Sequence, residues 1–163
     1  MLLDRDQVLQ ILPHRDPFLF IDTVESIMVK DRPLVLGEPI DPKQMPEVSI
    51  TAAYHTRADH PIFAGHFPGN PILPGVVQIE MMAQASAFGM VAQLKDPFAK
   101  KLGLAFMGVS DVKFRKPIYP EMDLVIKTKC LRERGTILVY EAQIWHQDAI
   151  MSQVGNILAA VTL

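Results

Sequence analysis

The sequence predicts an α+β fold in which an antiparallel sheet wraps one buried helix. Three observations carry that expectation. Gly75 to about Leu94 is the only long helix candidate, and its apolar residues run almost all the way round. Stretches rich in β-branched and alternating apolar residues flank it, two or three before and four or five after. Turn-forming residues separate those stretches, and no internal repeat or low-complexity tract competes with them.

Asp4 and, three residues later, Gln7 make a capping pair for a short first helix. Val8, Leu9, Ile11 and Leu12 share its apolar face, and Pro13 ends it. Phe18 to Lys30 reads as a strand, Lys30-Asp31-Arg32-Pro33 as a turn and Leu34 to Gly37 as a second strand, together a hairpin. Residues 38 to 62 carry Pro39, Pro42, Pro46 and Pro61 around a modest strand signal at Val48 to Tyr54. An irregular excursion with one embedded strand is expected there. In the long helix, Ala83, Ala85, Ser86, Ala87 and Gly89 let a sheet approach closely, while Gln78, Glu80, Gln84 and Gln93 interrupt the apolar run and exclude a membrane span. After Pro97, extended stretches are expected at Leu102 to Val109, Val112 to Arg115, Asp123 to Arg132, Thr136 to Gln147 and Ile150 to Leu163, with turns at Arg134-Gly135 and Gln147-Asp148.

At 163 residues, with 49% hydrophobic and 21% charged residues, the chain is expected to form a single domain over residues 1–163 with a core large enough to fold unaided. A net charge of −2 gives no electrostatic reason to expect nucleic acid. The lone Cys130 excludes an intramolecular disulfide and leaves a structural zinc site without its usual ligands. The first thirteen residues mix Asp4, Arg5 and Asp6 with leucines, unlike a signal peptide, so a cytoplasmic location is expected and no membrane.

The best clue to chemistry is the run from Gly65 to Glu80. Pro68, Pro71 and Pro74 fix φ at three places and Gly65, Gly69 and Gly75 permit unusual φ nearby, so the loop is stiff where it holds His66. Pro74 and Gly75 mark a helix start, which places Glu80 within reach of the same pocket as His66. A neutral imidazole is a competent general base, and a carboxyl buried in an apolar helix is expected to have a raised pKa, as a general acid needs. Gln84, one turn on, is placed to hydrogen-bond Glu80 and fix its orientation. The Gly75 N–H is one of the unpaired donors at the helix start and can polarise a substrate carbonyl. Read singly, a loop histidine is a packing residue and a buried glutamate is half of an ion pair; together they make a candidate dyad.

The run Gly65-His66-Phe67-Pro68-Gly69-Asn70-Pro71-Ile72-Leu73-Pro74-Gly75-Val76, followed by Ile79-Glu80-Met81-Met82-Ala83-Gln84-Ala85, closely resembles the signature of FabZ-type 3-hydroxyacyl-acyl-carrier-protein dehydratases. Leu12-Pro13-His14-Arg15-Asp16-Pro17-Phe18-Leu19-Phe20-Ile21-Asp22 resembles that family's N-terminal segment, and Val112-Lys113-Phe114-Arg115-Lys116-Pro117 with Pro120 its later strand pair. The resemblance implies a hot-dog fold and dimers that pair sheets edge to edge, often assembled as trimers of dimers. It also implies active sites at the dimer interface, with histidine and glutamate from different subunits. By motif position His66 and Glu80 match the catalytic pair, Gly75 the backbone donor to the thioester carbonyl, and Phe67, Pro74, Val76 and Gln84 line the substrate. The implied reaction converts (3R)-3-hydroxyacyl-acyl carrier protein to the trans-2-enoyl form in fatty acid biosynthesis, with no cofactor and no metal. A sister dehydratase-isomerase family has aspartate at the position of Glu80, which makes isomerisation the poorer expectation.

The segment from about Asp41 to Ile62 is longer and richer in proline and histidine than that family usually has. His55, His60 and His66 stand at spacings of five and six, a metal reading that a loop without a preset ligand face does not support. Lys113, Arg115 and Lys116, with Lys100, Lys101, Arg132 and Arg134, form a basic set that suits the acidic surface of an acyl carrier protein, or simply a solvated strand edge. His14 and Arg15 are expected to be structural. Two other readings stay open: a hot-dog thioesterase, and a non-catalytic acyl-binding module.

Overall fold

The computed structural model describes residues 1–162, so the last residue of the final expected strand, Leu163, lies outside them. Seven antiparallel strands form one sheet in the order β2-β1-β3-β5-β6-β7-β4, built from β1 (Thr23–Val29), β2 (Arg32–Pro33), β3 (Val48–His55), β4 (Gly103–Phe114), β5 (Asp123–Arg134), β6 (Ile137–His146) and β7 (Ala149–Thr162). Helix α1 spans Arg5–Ile11, α2 Ile62–Gly65 and α3 Gly75–Ala87. The sheet curls around α3, which packs on β3, β5, β6 and β7.

Residue chemistry accounts for these elements. The Asp4 carboxylate accepts from Gln7 N–H and the Gln7 side chain accepts from Asp4 N–H, a capping box that closes the start of α1. β3 alternates buried and half-buried side chains and β5 buried and more exposed ones, the period-two pattern of a sheet with one face on the core. Met81, Met82 and Ala85 of α3 are fully buried, against Ile126 of β5, Ile144 of β6 and Ile157 of β7 in one apolar cluster. No helix among the described residues is long and apolar enough to cross a membrane.

Three expectations shift. The second strand of the first hairpin is only Arg32–Pro33; Leu34 N–H bonds to Ile27 O and the Leu34 side chain then turns into the core, so its apolar character reports packing rather than pairing. The long helix is α-helical only to Ala87 and tightens into a 3₁₀ segment over Phe88–Gln93. Phe88 N–H reaches Ala85 O, the i→i−3 bond of that tightening. Finally, the two stretches after Pro97 are one strand. Ser110 pairs with Asn156 and Val112 with Val154, and Asp111 between them takes a φ of 57° without breaking the ladder.

The proline-rich excursion builds β3 and a charged cluster at its end. His55 Nδ1 lies 2.7 Å from Asp123 Oδ1 and Nε2 3.1 Å from Glu121 Oε2, so both ring nitrogens donate only as the imidazolium. These two hydrogen bonds raise the His55 pKa against a small opposing effect of burial. Glu121 is lowered by the Ala58 N–H and then by His55. His55 therefore contributes stability that is complete below the ordinary imidazole value of 6.5 and is lost as pH rises through its higher folded value. Glu121 contributes above its ordinary 4.5 and loses that contribution as pH falls through a lower folded value. Replacing His55 with glutamine should lower the melting temperature more in mildly acidic buffer than in mildly alkaline buffer, and added salt should shrink the gap because the cluster is exposed. Equal losses at both pH values would show that the charges contribute nothing.

Candidate active site

The proline-glycine loop holds His66 through paired backbone bonds. Ile72 N–H donates to His66 O, and His66 Nδ1 lies 2.8 Å from Ile72 O. Phe67 and Asn70 exchange both of their N–H to O bonds at 2.9 Å, and Gly69, with a φ of 73°, makes the reversal between them. A carbonyl oxygen only accepts, so Nδ1 carries the proton and the neutral ring presents its lone pair at Nε2. The Phe67 ring stacks on the imidazole with centroids 4.0 Å apart.

Pro74 is the N-cap of α3 and Gly75 its first residue. His66, Gly75, Phe114, Arg115 and Lys116 line one open cavity of about 410 Å³. A Cβ at position 75 would stand 2.7 Å from Phe114 Cζ, so only glycine lets the ring and the start of the helix meet this closely. Gly75 and Val76 carry the first N–H groups of α3, which have no acceptor within the helix, and Gly75 lines this cavity.

Glu80 lies on α3 in a different setting. Gln84 Nε2 donates to Glu80 Oε1 at 2.9 Å, and His14 Nε2 lies 3.2 Å from the same oxygen. Oε2 makes no hydrogen bond among the described residues and is the oxygen free to act. Gln84 also accepts from Phe20 N–H and donates to Phe18 O, both at 2.9 Å, tying the N-terminal segment to α3. Arg15 donates to the carbonyls of Leu9, Leu12 and His14, folding the chain back over the end of α1 and carrying His14 to the glutamate.

Two expectations about Glu80 are corrected. Burial does push its pKa up, but the hydrogen bonds from His14 and Gln84 outweigh it, and the carboxyl titrates below its ordinary 4.5. His14, expected to be structural, is in direct contact with the Glu80 carboxylate. The sequence signal that could have found it is the demand of a buried carboxylate for a donor, since Gln84 alone leaves it undersupplied. His14 Nδ1, by contrast, is buried with no partner. Arg15 keeps the structural role expected of it.

Within one chain His66 and Glu80 do not reach the same pocket. Glu80 and His14 stand at a second cavity of about 160 Å³ that shares no lining residue with the cavity of His66. Of the other expected residues, Gln84 contacts Glu80, Pro74 and Gly75 shape the helix start, and Phe67 and Val76 are 50% and 75% exposed beside it. His60 bonds Pro17 O and His55 its two carboxylates; among the described residues no group of three or more His, Cys, Asp or Glu is arranged to hold a metal ion.

A sheet curled round one central helix is the hot-dog fold, and the relatives of this chain within that fold are dehydratases. A family model described as ApeI-like, ApeI dehydratase, matches residues 42–154. The 3-hydroxyacyl-acyl-carrier-protein dehydratase FabZ of Thiobacillus denitrificans is 32% identical over 152 residues, 93% of this chain and 92% of that protein. FabZ of Polynucleobacter necessarius is 33% identical over 159 residues, 98% of this chain and 93% of its own. The chain belongs to the FabZ-type dehydratase family. Among solved structures, the E. coli PaaI protein from the phenylacetic acid degradation operon superposes with a TM-score of 0.52 at 13% identity, over 69% of this chain and 75% of that one, a likeness of fold alone.

Proposed function

We propose that this enzyme reversibly dehydrates a (3R)-3-hydroxyacyl thioester carried by acyl carrier protein, giving the trans-2-enoyl thioester and water. The observation that carries the proposal is the His66 ring, whose Nδ1 is committed to Ile72 O and whose Nε2 is free beside the opening of α3. His66 Nε2 takes the proton from C2 while Gly75 N–H donates to the thioester oxygen, where charge accumulates. The C2–H and C3–O bonds break, the C2–C3 double bond forms, and the hydroxyl leaves as water with a proton from Glu80. A lowered pKa keeps Glu80 ionised at rest, so in the hydration direction Oε2 takes a proton from water. By microscopic reversibility the carboxyl so formed is the donor for dehydration.

The separate cavities of His66 and Glu80 support a site completed by a second copy, with each His66 facing the partner's Glu80. β4 suits that pairing: it is an edge strand of twelve residues on which Phe106, Met107, Val109 and Phe114 are all exposed. Arg115 and Lys116 at the mouth of the His66 cavity suit the acidic carrier and the phosphate of its prosthetic arm, mainly by speeding encounter.

The deciding experiment follows loss of enoyl absorbance as crotonyl-acyl carrier protein is hydrated, with a thiol reagent in parallel. Absorbance loss by the wild type and not by His66→Ala is expected; thiol release without it would make the protein a thioesterase. In the same assay His14→Ala should lower kcat about ten- to hundredfold, the worth of a hydrogen bond to a charged group. Losing that donor raises the Glu80 pKa, so the acid limb of the pH profile should move to higher pH, and His14→Gln should restore part of both effects. A loss of kcat with an unmoved limb would leave His14 a packing residue.

A further inference from the structure

The cavity beside Glu80 has one buried aromatic side chain in its wall, Tyr140. Glu80 and His14 form the polar part of the lining, α3 and β7 contribute the small Ala83, Ala87 and Ala159, β4 contributes the half-exposed Phe106, and Tyr140 of β6 is the buried aromatic wall. Away from Glu80, His14 and Gln84 the walls are apolar apart from Ser86, whose hydroxyl is already donated to Met82 O. Small residues on the helix and on β7 open the space, and Tyr140 bounds it.

Tyr140 is held there from behind. It is 2% exposed, and a Cβ at position 89 would overlap its hydroxyl, so the ring spans from the sheet to the 3₁₀ segment only because residue 89 is glycine. The hydroxyl makes no hydrogen bond beyond a weak approach to the Cys130 thiol. A buried, unpaired hydroxyl is costly, and leucine or phenylalanine would avoid the cost. Glycine at 89 and tyrosine at 140 together build a stop in the wall of the cavity.

On the dehydratase reading above, we propose that Tyr140, backed by Gly89, sets the upper limit of acyl-chain length and restricts the enzyme to short and medium unbranched hydrocarbon chains. The size follows from the space. A dry cavity of about 150 Å³ accepts benzene, so one of about 160 Å³ takes roughly six carbons. With C1 to C3 held beside Glu80, the tail reaches Tyr140 at a total of about nine carbons. Apart from Glu80 and His14 no charged group lines the wall, so a tail ending in a carboxylate is excluded by desolvation.

The test measures kcat/KM for hydration of trans-2-enoyl-acyl carrier proteins of four to fourteen carbons. Wild type should act on the chains up to about ten carbons and fall at least about tenfold by twelve, since a methylene that a pocket cannot take costs that much or more. Tyr140→Leu should raise the ratio of twelve-carbon to four-carbon kcat/KM at least about tenfold, while Tyr140→Phe should keep the wild-type ratio. Ala159→Leu, which fills the cavity without altering Tyr140, should move the limit the other way and depress the eight-carbon to four-carbon ratio; it decides the matter should the Tyr140 variant not fold. Equal kcat/KM from four to fourteen carbons in the wild type, or ratios unmoved in Tyr140→Leu or Ala159→Leu, would overturn the inference and leave the dehydratase reading standing. Absence of turnover at every length overturns that reading, and the inference with it.

Discussion

Mixed dimers of His66→Ala and Glu80→Ala subunits are expected to recover activity that neither variant has alone. Each single variant should lose about 10²- to 10⁴-fold in kcat, the usual worth of a positioned acid or base. The two residues line separate cavities in one chain, so a site that needs both must draw them from two chains. In a heterodimer of the two variants one site then keeps His66 from the Glu80→Ala subunit and Glu80 from the His66→Ala subunit, while the other site has neither. With free exchange half of the dimers are mixed, and each has one of its two sites intact, so about one quarter of wild-type activity should return. The measurement is crotonyl-carrier hydration after co-refolding the variants at equal concentration, with the unmixed variants as controls. No recovery in verified heterodimers would put both residues in one chain's site, reached by a movement of the loop that holds His66.

The parts of this molecule legible in the sequence are those that depend on short-range pattern. α3 declares itself because Val77, Met81, Met82, Ala85 and Ala87 spread over most directions of a helix, the pattern of a helix buried within a domain. β5 and β6 declare themselves by alternation. The end of α3 does not, because Met90, Val91 and Ala92 are as buried as the helix before them, and hydrophobicity does not distinguish i→i+3 from i→i+4 bonding. Leu34 and Leu36 imitate a strand for a related reason: they are apolar to pack, and the pairing with β1 goes no further than the Leu34 N–H.

The candidate site divides along the same line. His66, Gly75 and the Glu80–Gln84 pair lie within one loop and one helix, and their spacing places them. His14 is sixty-six positions from Glu80 and meets it only because Arg15 folds the segment over α1, a tertiary event with no local signature. The error over the Glu80 pKa has that same origin: burial is visible in an apolar helix, whereas the donors that reverse its effect come from elsewhere in the chain. Tyr140 and Gly89, fifty-one positions apart, are equally invisible as a pair until the sheet brings one over the other.

Placing lysine at both Met107 and Val109 is expected to convert the protein to a folded monomer with at least about 100-fold less hydration activity. β4 is paired on one side by β7 alone, and its other side offers the unpaired N–H and C=O groups of alternate residues along the strand. Met107 and Val109 are 55% and 41% exposed there, where a charged edge would normally discourage association. In a two-fold pairing the same strand approaches from the partner, so the two new lysines of each chain put four positive charges along one shared ladder and oppose it. Neither residue touches α3's apolar core cluster, so circular dichroism should be unchanged while light scattering reports half the mass. Activity should fall with dimer content, because a monomer has His66 without a facing glutamate. A variant that stays dimeric and active would move the interface off β4. One that is monomeric yet fully active would return the whole reaction to a single chain, in agreement with a failed mixing experiment, so the two tests must stand or fall together.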